Sequence, residues 1–270
     1  MMPNPHHTAA TITQRFDNAA ITYDRAASVQ QRVAQQLFEH YLSGLKRSPN
    51  TIVEAGCGTG FLTQHLCQHF PDVALLAVDI APSMVNLCRH RLAHYPQLQC
   101  QIADAEHLQL DEKTDVDLDV NHDVNLDVDL GVDLLISSLC LQWFSDWRTG
   151  LARWAQQART IAFSVPVAGS FSAWAAAHTR AGQQDGLQPL PDAQAVRNHC
   201  AQLGTLRHFS IQSEILHHAD ALDFARTLRA LGAHQPRAQH RPANLRRVLR
   251  ELPQGIDVEY RVAYCIMECP

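Results

Sequence analysis

Short buried strands alternate with amphipathic helices over residues 50–166, and this alternation restricts the chain to few folds. Five apolar runs predict the strands: TIVEA, ALLAVD, LQCQIA, VDLLISS and TIAFSVP. Strands that alternate with helices pair in parallel, and the helices cover both faces of the sheet. Two later runs, RHFSIQSEIL and DVEYRVAYCIM, predict two more strands. Apolar periodicity predicts a helix from about Ala26 and another at about 146–159, and His217 and His218 are expected to face solvent. We therefore predict an α/β fold with a mostly parallel, seven-stranded sheet.

The net charge of -5 over 270 residues comes largely from one low-complexity stretch at 115–133. It holds seven of the 27 acids, and without them 20 acids face 22 Lys and Arg side chains. A calcium loop there would need Gly and Glu where the chain has Val120 and Leu126. We therefore predict an expanded surface loop, to which these acids belong: Asp115, Asp117, Asp119, Asp123, Asp127, Asp129 and Asp133.

Several classes of protein are excluded by what the sequence lacks. The first residues have no apolar run typical of a signal peptide, and no window approaches the ~18 apolar residues of a membrane span. Eight scattered cysteines fit reduced thiols packed as small hydrophobic groups. Cys265 and Cys269 have no second pair that would complete a zinc site. We predict a cytoplasmic protein with no metal and no membrane partner.

The motif Glu54-Ala-Gly56-Cys-Gly58-Thr-Gly60 follows the first strand and carries the strongest chemical signal. Glycines let the backbone turn sharply and let a ligand approach closely. A dinucleotide fingerprint would need a later Gly, at the position of Phe61, and a P-loop would end in Gly-Lys-Ser/Thr. The loop holds no basic residue and an acid precedes it, so it suits a ligand with ammonium and sulfonium groups better than a pyrophosphate.

Two more acids follow the next two strands. Asp79 ends the second strand, where a carboxylate can accept both hydroxyls of a ribose. Asp104 follows the third strand beside Ala105, in a place to bind an adenine amino group. The carboxyl ends of parallel strands are where open α/β sheets bind ligands. Together with the glycines, these acids predict a nucleoside site.

These motifs resemble those of the class I S-adenosylmethionine methyltransferases, over residues 50–166 and onward. The resemblance implies a Rossmann-like methyltransferase sheet, S-adenosyl-L-methionine as cofactor, S-adenosyl-L-homocysteine as product, and no metal. The residues it places at the cofactor are Glu54, Gly56, Cys57, Gly58, Gly60, Asp79, Ile80, Asp104, Ala105 and Ser137.

The flanking segments narrow the resemblance to the malonyl-acyl carrier protein O-methyltransferases of biotin synthesis. Phe16-Asp-Asn-Ala-Ala-Ile-Thr-Tyr23-Asp24 is similar to the opening of that family, and Leu141-Gln-Trp143 to its Leu-Gln-Trp motif. Ser138 replaces the usual Asn, and a Lys-Pro-Gly-Gly segment before the fifth strand is absent. The resemblance covers a single domain: a helical lid at 1–49, a cofactor-binding core at 50–166, a helical insertion at 167–206, and C-terminal strands and helices at 207–270.

By this resemblance, a methyl group moves to the free carboxylate of a malonyl thioester on a carrier protein. A carboxylate is already ionised near neutral pH and needs no general base. Tyr23, Gln142 and Trp143 are the expected catalytic residues, and Phe171 and Trp174 are expected to wall the acyl group. Each of these five has core packing as its alternative role.

An arginine-rich segment is the predicted docking surface for an acidic malonyl-acyl carrier protein. An ordinary solvated helix face is the alternative. No nucleic-acid motif accompanies the cluster. Its members are Arg226, Arg229, Arg237, Arg241, Arg246, Arg247 and Arg250, and Arg246 and Arg247 are the residues expected to contact the partner.

The sequence leaves two other functions open. One is methylation of a small molecule, as in quinone pathways, because the cofactor motif is shared. The other is a non-catalytic cofactor-binding module, suggested by the missing Gly-Gly and the Asp-rich stretch. It also leaves open whether the thioester is on a carrier protein or on coenzyme A.

Overall fold

A computed structural model describes residues 9–45, 47–110, 132–233 and 244–270. Seven strands form one sheet in the order β3-β2-β1-β4-β5-β7-β6. The first five strands along the chain pair in parallel, and β7 is antiparallel to both β5 and β6. The predicted fold class is confirmed. The strands are β1 Thr51–Ala55, β2 Ala74–Asp79, β3 Leu98–Ile102, β4 Val132–Ser138, β5 Ala158–Pro166, β6 Thr205–His218 and β7 Ile256–Glu268.

Helices cover both faces of the sheet and close its carboxyl edge. The helix predicted from about Ala26 begins at Ser28, and a separate helix, α1, precedes it. The helices are α1 Ala9–Ala26, α2 Ser28–Ser43, α3 Phe61–His69, α4 Pro82–Arg91, α5 Trp147–Ala155, α6 Ser172–Arg180, α7 Ala193–Leu203, α8 Ala221–Ala230 and α9 Leu245–Arg250.

Alternate residues of the central strands point to opposite faces, so each face has its own core. Ile52 of β1 packs into a cluster with α2, α3, α6 and α8. Val53, the next residue, packs into the cluster under α5 and α7. The second cluster is anchored by the fully buried Trp154, whose Nε1 donates a 2.8 Å hydrogen bond to the carbonyl of Ala105. That bond ties α5 to the segment after β3, at the edge where the site lies.

Two local predictions differ from the structure. The helix predicted at about 146–159 ends at Ala155, because β5 already pairs with β4 from Ala158. His218, expected to face solvent like His217, is buried, and its Nδ1 lies 2.8 Å from an Asp223 carboxylate oxygen. The end of β6 lies under α8, where the ring of Phe224 packs against the imidazole of His218 with the ring centroids 5.4 Å apart.

Most of the Asp-rich stretch lies outside the described residues. Its last acid, Asp133, belongs to β4 and not to a loop, and it accepts hydrogen bonds from Asn50. It also pairs with Arg159, 3.2 Å away. Along the described parts of the chain, no helix has the length and apolar character that crossing a membrane requires.

Candidate functional site

A cavity of about 510 Å³ lies at the carboxyl edge of the parallel strands. It is walled by the segments after β1 to β5 and covered by α1, α6 and α8. Ile12, Phe16 and Tyr23 face it from α1, at spacings that keep them on one side of a helix. The N-terminal segment predicted as a helical lid therefore contributes a wall of this cavity through α1.

The glycine-rich loop turns tightly at the end of β1. The N–H groups of Gly56 and Cys57 both donate to the carbonyl of Val78, at 2.8 and 2.9 Å. Gly56 has φ +76°, and a Cβ there would lie 2.6 Å from the sulfur of Cys140. Gly58 has φ +53° and lines the cavity, and no atom lies within 4 Å of where its Cβ would stand. The loop requires glycine at 56 for close approach, and at 58 it leaves room for a ligand.

Asp79 holds this loop from the neighbouring strand. One carboxylate oxygen accepts the Gly58 N–H and the other accepts the Ala81 N–H, both at 2.9 Å. Burial raises the pKa of Asp79 to about 6, against the lowering effect of these two hydrogen bonds. Each carboxylate oxygen can accept more than one hydrogen bond, so the side chain keeps acceptor capacity toward the cavity, which it lines beside Ile80.

Asp104 caps the short 3₁₀ helix Ala105–His107 after β3. Its Oδ1 accepts the Glu106 N–H at 3.0 Å, and its Oδ2 lies 3.0 Å from Nδ1 of His107. Asp104 and Ala105 both line the cavity. The predicted nucleoside residues of β2 and β3 thus reach the same space as the glycine loop.

A smaller side cavity of about 40 Å³ opens beside the loop. Tyr23, Gly56 and Gly58 line both cavities, whereas Glu54 and Cys57 line only the smaller one. Glu54 is 1% exposed, and burial holds its pKa well above the ordinary value although it shares a hydrogen bond with Thr63. Its Oε2 has no donor among the residues that the structure describes. This orphaned acceptor fits a ligand with a cationic N–H group.

Tyr23 and Gln142, two of the predicted catalytic residues, both line the main cavity. Tyr23 stacks on Phe61, with ring centroids 6.4 Å apart, and burial followed by the charge of Asp79 raises the pKa of its hydroxyl. The hydroxyl therefore stays protonated at neutral pH and can donate. The Gln142 amide nitrogen donates to the carbonyl of Leu139 at 2.6 Å, which turns the amide oxygen the other way, buried and without a donor in the described residues.

The other half of the cavity is apolar and aromatic. Phe171 packs edge-on against Tyr260 at 4.8 Å, and Trp174 packs against Phe224 at 5.2 Å. Trp143 meets Phe16 of α1 edge-on at 5.3 Å and closes this half toward the lid. These aromatic faces can exclude water around an apolar chain.

Among the cavity-lining residues that the structure describes, Arg229 is the one permanent cation. It follows Leu228 on α8, and the two residues share the helix face that lines the cavity with Ala225. The side chain of Arg229 is exposed at the rim. The sequence predicts Arg229 only as part of the docking surface, because its position on the cavity wall depends on how α8 packs.

Some predicted site residues lie away from this space. Ser137 is buried and donates a 2.7 Å hydrogen bond to the carbonyl of Ala55, while its neighbour Ser138 lines the cavity. Arg246 and Arg247 are exposed on α9 and do not line the cavity. Arg237 and Arg241 fall outside the described residues.

The lid is fastened to the glycine loop by a charged contact. Asp24, near the end of α1, accepts the Thr59 hydroxyl at 2.6 Å and pairs with Arg91 of α4. Arg91 also lies over the ring of Phe61, 5.4 Å from its centroid. Within the described residues, no group of three or more His, Cys, Asp or Glu side chains could hold a metal ion.

Comparisons with known proteins agree with this geometry. The model of a methyltransferase domain family matches residues 53–159, which run from β1 to the start of β5. A malonyl-[acyl-carrier protein] O-methyltransferase of Magnetococcus marinus is 30% identical over 261 residues, covering 91% of this chain and 87% of that protein. The chain belongs to the malonyl-acyl carrier protein O-methyltransferase family. The resemblance based on the N-terminal and Leu-Gln-Trp motifs is confirmed.

A second relative and a solved structure are also similar to this methyltransferase. The biotin biosynthesis bifunctional protein BioCD of Bordetella avium is 33% identical over 265 residues, which cover 94% of this chain and 51% of that longer protein. The magnesium protoporphyrin IX methyltransferase of Synechocystis, solved with S-adenosylhomocysteine, has a TM-score of 0.60 at 11% identity. That alignment covers 96% of this chain and 99% of the other. At such low identity, this second likeness concerns the fold alone.

Proposed function

We propose that this methyltransferase transfers the methyl group of S-adenosylmethionine to the free carboxylate of a malonyl thioester on an acyl carrier protein, an early step of biotin synthesis. One observation carries the proposal: a single cavity joins a nucleoside half, with Asp79 and Asp104, to an aromatic half, with Phe171 and Trp174. A donor and an apolar acyl chain can meet at the junction of these halves. Family membership supplies the choice of malonyl as acyl group.

The residues of the nucleoside half fit the cofactor. Asp79 offers acceptors for the two ribose hydroxyls, Asp104 for the adenine amino group, and the orphaned oxygen of Glu54 for the ammonium. Gly58 leaves the approach open, since no atom lies within 4 Å of where a Cβ would stand. When bound, the cofactor supplies an electrophilic methyl group on a sulfonium.

The chain's own part in the reaction is to orient the carboxylate and exclude water. The substrate carboxylate would already be ionised and could act as the nucleophile toward that methyl group, so this chain would not have to remove a proton. Tyr23 and Gln142 line the junction where the carboxylate and the methyl group meet, and Trp143 closes it against solvent. In a site that excludes water, alignment of the reacting atoms accounts for much of the acceleration.

Arg229 is placed to attract an anionic acyl group. Four acids line the cavity with it, so an entering carboxylate needs a compensating cation: Asp79, Asp104, Glu106 and Asp185. A guanidinium at the rim offers that cation without burying an unpaired charge. Arg226 of α8 and three arginines of α9 are exposed as well: Arg246, Arg247 and Arg250.

The decisive assay is methylation of malonyl-acyl carrier protein, read by the mass of the intact carrier. The expected product is heavier by one methyl group, and base hydrolysis releases that methyl group as methanol because it is on an ester. Malonyl coenzyme A, tested in parallel, tells which thioester is preferred. Label fixed on carbon or nitrogen, or cofactor binding without turnover of any malonyl thioester, would reject the proposal.

Reversal of charge at α9 tests carrier docking. The double variant Arg246→Glu, Arg247→Glu is expected to raise KM for malonyl-acyl carrier protein about tenfold at low salt, and less as ionic strength rises. KM for the malonyl thioester of N-acetylcysteamine should stay unchanged, because that substrate has no carrier. Arg197→Glu, on α7 at the opposite face of the sheet, is the control. Equal effects on both substrates would show that α9 does not dock the carrier.

The raised pKa of Asp79 predicts a pH dependence of cofactor binding. The ionised carboxylate is the better acceptor, it prevails above about pH 6, and it is lost as the pH falls through that value. The affinity for S-adenosylhomocysteine should therefore fall about tenfold for each pH unit below 6. Calorimetry between pH 5 and 7.5 measures this. Methylthioadenosine, which has the ribose but no amino acid part, should follow the same profile, and a flat profile for it would contradict the role of Asp79.

A further inference from the structure

Tyr260 lies where the last strand passes the carboxyl edge of the sheet. β5 ends at Pro166, which pairs with Val262 of β7, so the preceding residues of β7 extend beyond the end of β5. Side chains two residues apart in a strand point to the same face, and Tyr260 shares its face with Val262. The N–H of Phe171 donates to the carbonyl of Glu259 at 2.8 Å, which holds this extension against the start of α6. Tyr260 is thereby fixed in the wall of the main cavity.

The hydroxyl of Tyr260 is a hydrogen-bond donor that the described part of the chain does not use. The residue is 6% exposed, and its ring packs edge-on against Phe171. The hydroxyl is not sealed in the core, and no residue that the structure describes accepts a hydrogen bond from it. Burial raises the pKa of Tyr260 to about 12, so the hydroxyl keeps its proton at neutral pH. It is therefore available to a molecule that occupies the cavity.

The surroundings of this hydroxyl suit a neutral acceptor. Four side chains belong to the same apolar cluster and line the cavity with it: Trp174, Leu187, Ala225 and Leu228. None of these side chains offers a hydrogen-bond acceptor. A carboxylate would lose most of its hydration here and would find only an uncharged donor, which is costly. A carbonyl gives up much less hydration, and one hydroxyl is enough to pair it.

We propose that the hydroxyl of Tyr260 donates a hydrogen bond to the thioester carbonyl oxygen of the malonyl substrate. This inference rests on the proposed function. A malonyl thioester has two groups that accept strong hydrogen bonds: the carboxylate, which has to reach the methyl donor, and a carbonyl one methylene away, next to the sulfur. Apolar walls exclude water from that carbonyl, so binding is weaker if it stays unpaired. Tyr260 is a substrate-binding residue, and it recognises the thioester and not the cofactor.

Loss of this contact should appear in KM and not in kcat. The thioester carbonyl gains no charge while the carboxylate is methylated, so the hydrogen bond is equally strong in the bound substrate and in the transition state. Removal of such an interaction raises KM and leaves kcat unchanged. Tyr260→Phe is expected to raise KM for the malonyl thioester of N-acetylcysteamine about tenfold, which is the effect of one hydrogen bond to a buried group.

The test compares this thioester with its thioether analogue, in which a methylene replaces the carbonyl and the carboxylate is kept. In the unaltered protein, KM for the thioether should be about tenfold higher than KM for the thioester. Tyr260→Phe should not raise KM for the thioether further, because the two changes remove the same hydrogen bond. Tyr264→Phe is the matched control: Tyr264 lies on the same face of β7, its hydroxyl donates to Oε1 of Gln36, and it does not line the cavity. Both KM values should stay unchanged in that variant.

Two more measurements separate substrate binding from packing and from the cofactor. Tyr260→Phe should keep the thermal midpoint, whereas Tyr264→Phe, which loses an internal hydrogen bond, should lower it. Calorimetry with Tyr260→Phe should give an unchanged affinity for S-adenosylhomocysteine, and a lower affinity would overturn the proposal.

The kinetic outcomes distinguish this contact from the proposed function. Equal rises in KM for the thioester and the thioether would mean that Tyr260 only packs the cavity wall. An unchanged KM for the thioester in an active Tyr260→Phe variant would also overturn the contact, and the proposed function would stand. If the unaltered protein methylates no malonyl thioester, the proposed function itself fails and this contact fails with it.

Discussion

Replacement of Asp79 by alanine is expected to lower the affinity for S-adenosylhomocysteine at least 100-fold. Two ribose hydroxyls lose a charged acceptor, and each hydrogen bond to a charged group contributes about 1.5–3 kcal/mol. The same change releases the N–H groups of Gly58 and Ala81, which the carboxylate holds at 2.9 Å. The glycine loop then has to be ordered by the ligand itself, and that cost reduces the affinity further.

Calorimetry with the Asp79→Ala variant measures this loss, and the thermal midpoint shows whether the variant is folded. Asp72→Ala is the control, because Asp72 is an exposed acid just before the same strand and does not line the cavity. It should bind with unaltered affinity. An unchanged dissociation constant for Asp79→Ala would refute the assignment of the ribose to β2.

Replacement of Gly56 by alanine is expected to destabilise the fold by about 2–5 kcal/mol and to abolish cofactor binding. The added Cβ would lie 2.6 Å from the sulfur and 2.7 Å from the Cβ of Cys140, and the φ of +76° is unfavourable for alanine. Backbone strain costs about 1–2 kcal/mol and overpacking about 1–3 kcal/mol. Because Cys140 follows β4, relief of the clash must separate the loops after β1 and β4, which both line the cavity.

Gly58→Ala separates the two causes. Its φ of +53° brings a similar backbone strain, but no atom lies within 4 Å of the new Cβ. A loss of only about 1–2 kcal/mol is expected from the strain alone. Denaturant unfolding of both variants gives the comparison. Equal destabilisation at the two positions would show that contact with Cys140 is not what requires glycine at position 56.

The arrangement of the sheet could be predicted because local patterns set it. The apolar runs fix where the first five strands lie, and parallel pairing follows from the helices between them. The two-residue gap between Ala155 and Ala158 could not be anticipated, since helical periodicity does not reveal where pairing with β4 begins. Burial of His218 likewise depends on the packing of α8 on the end of β6.

The residues of the site can also be divided into those that local patterns reveal and those that depend on packing. Glycine positions and acids at strand ends can be recognised because the ligand's chemistry requires those residue types. Ser137 and Ser138 show the limit: adjacent strand residues face opposite sides, and only the packed sheet decides that Ser138 lines the cavity. Gln30 and Arg229 reach it from helices distant in sequence. Their side chains are common surface types, so nothing local distinguishes them.

The place of β7 in the sheet sets when this enzyme can become active during its synthesis. β7 is the last of the seven strands along the chain, yet it lies between β5 and β6. Until residues 256–268 have left the ribosome, β6 has no partner and the edge of β5 stays open. The residues of the nucleoside half are synthesised early, but the aromatic half is incomplete until Tyr260 of β7 has been synthesised. A chain that ends before β7 would therefore contain the glycine loop and the acids after β2 and β3, but it would lack Tyr260 of the aromatic half.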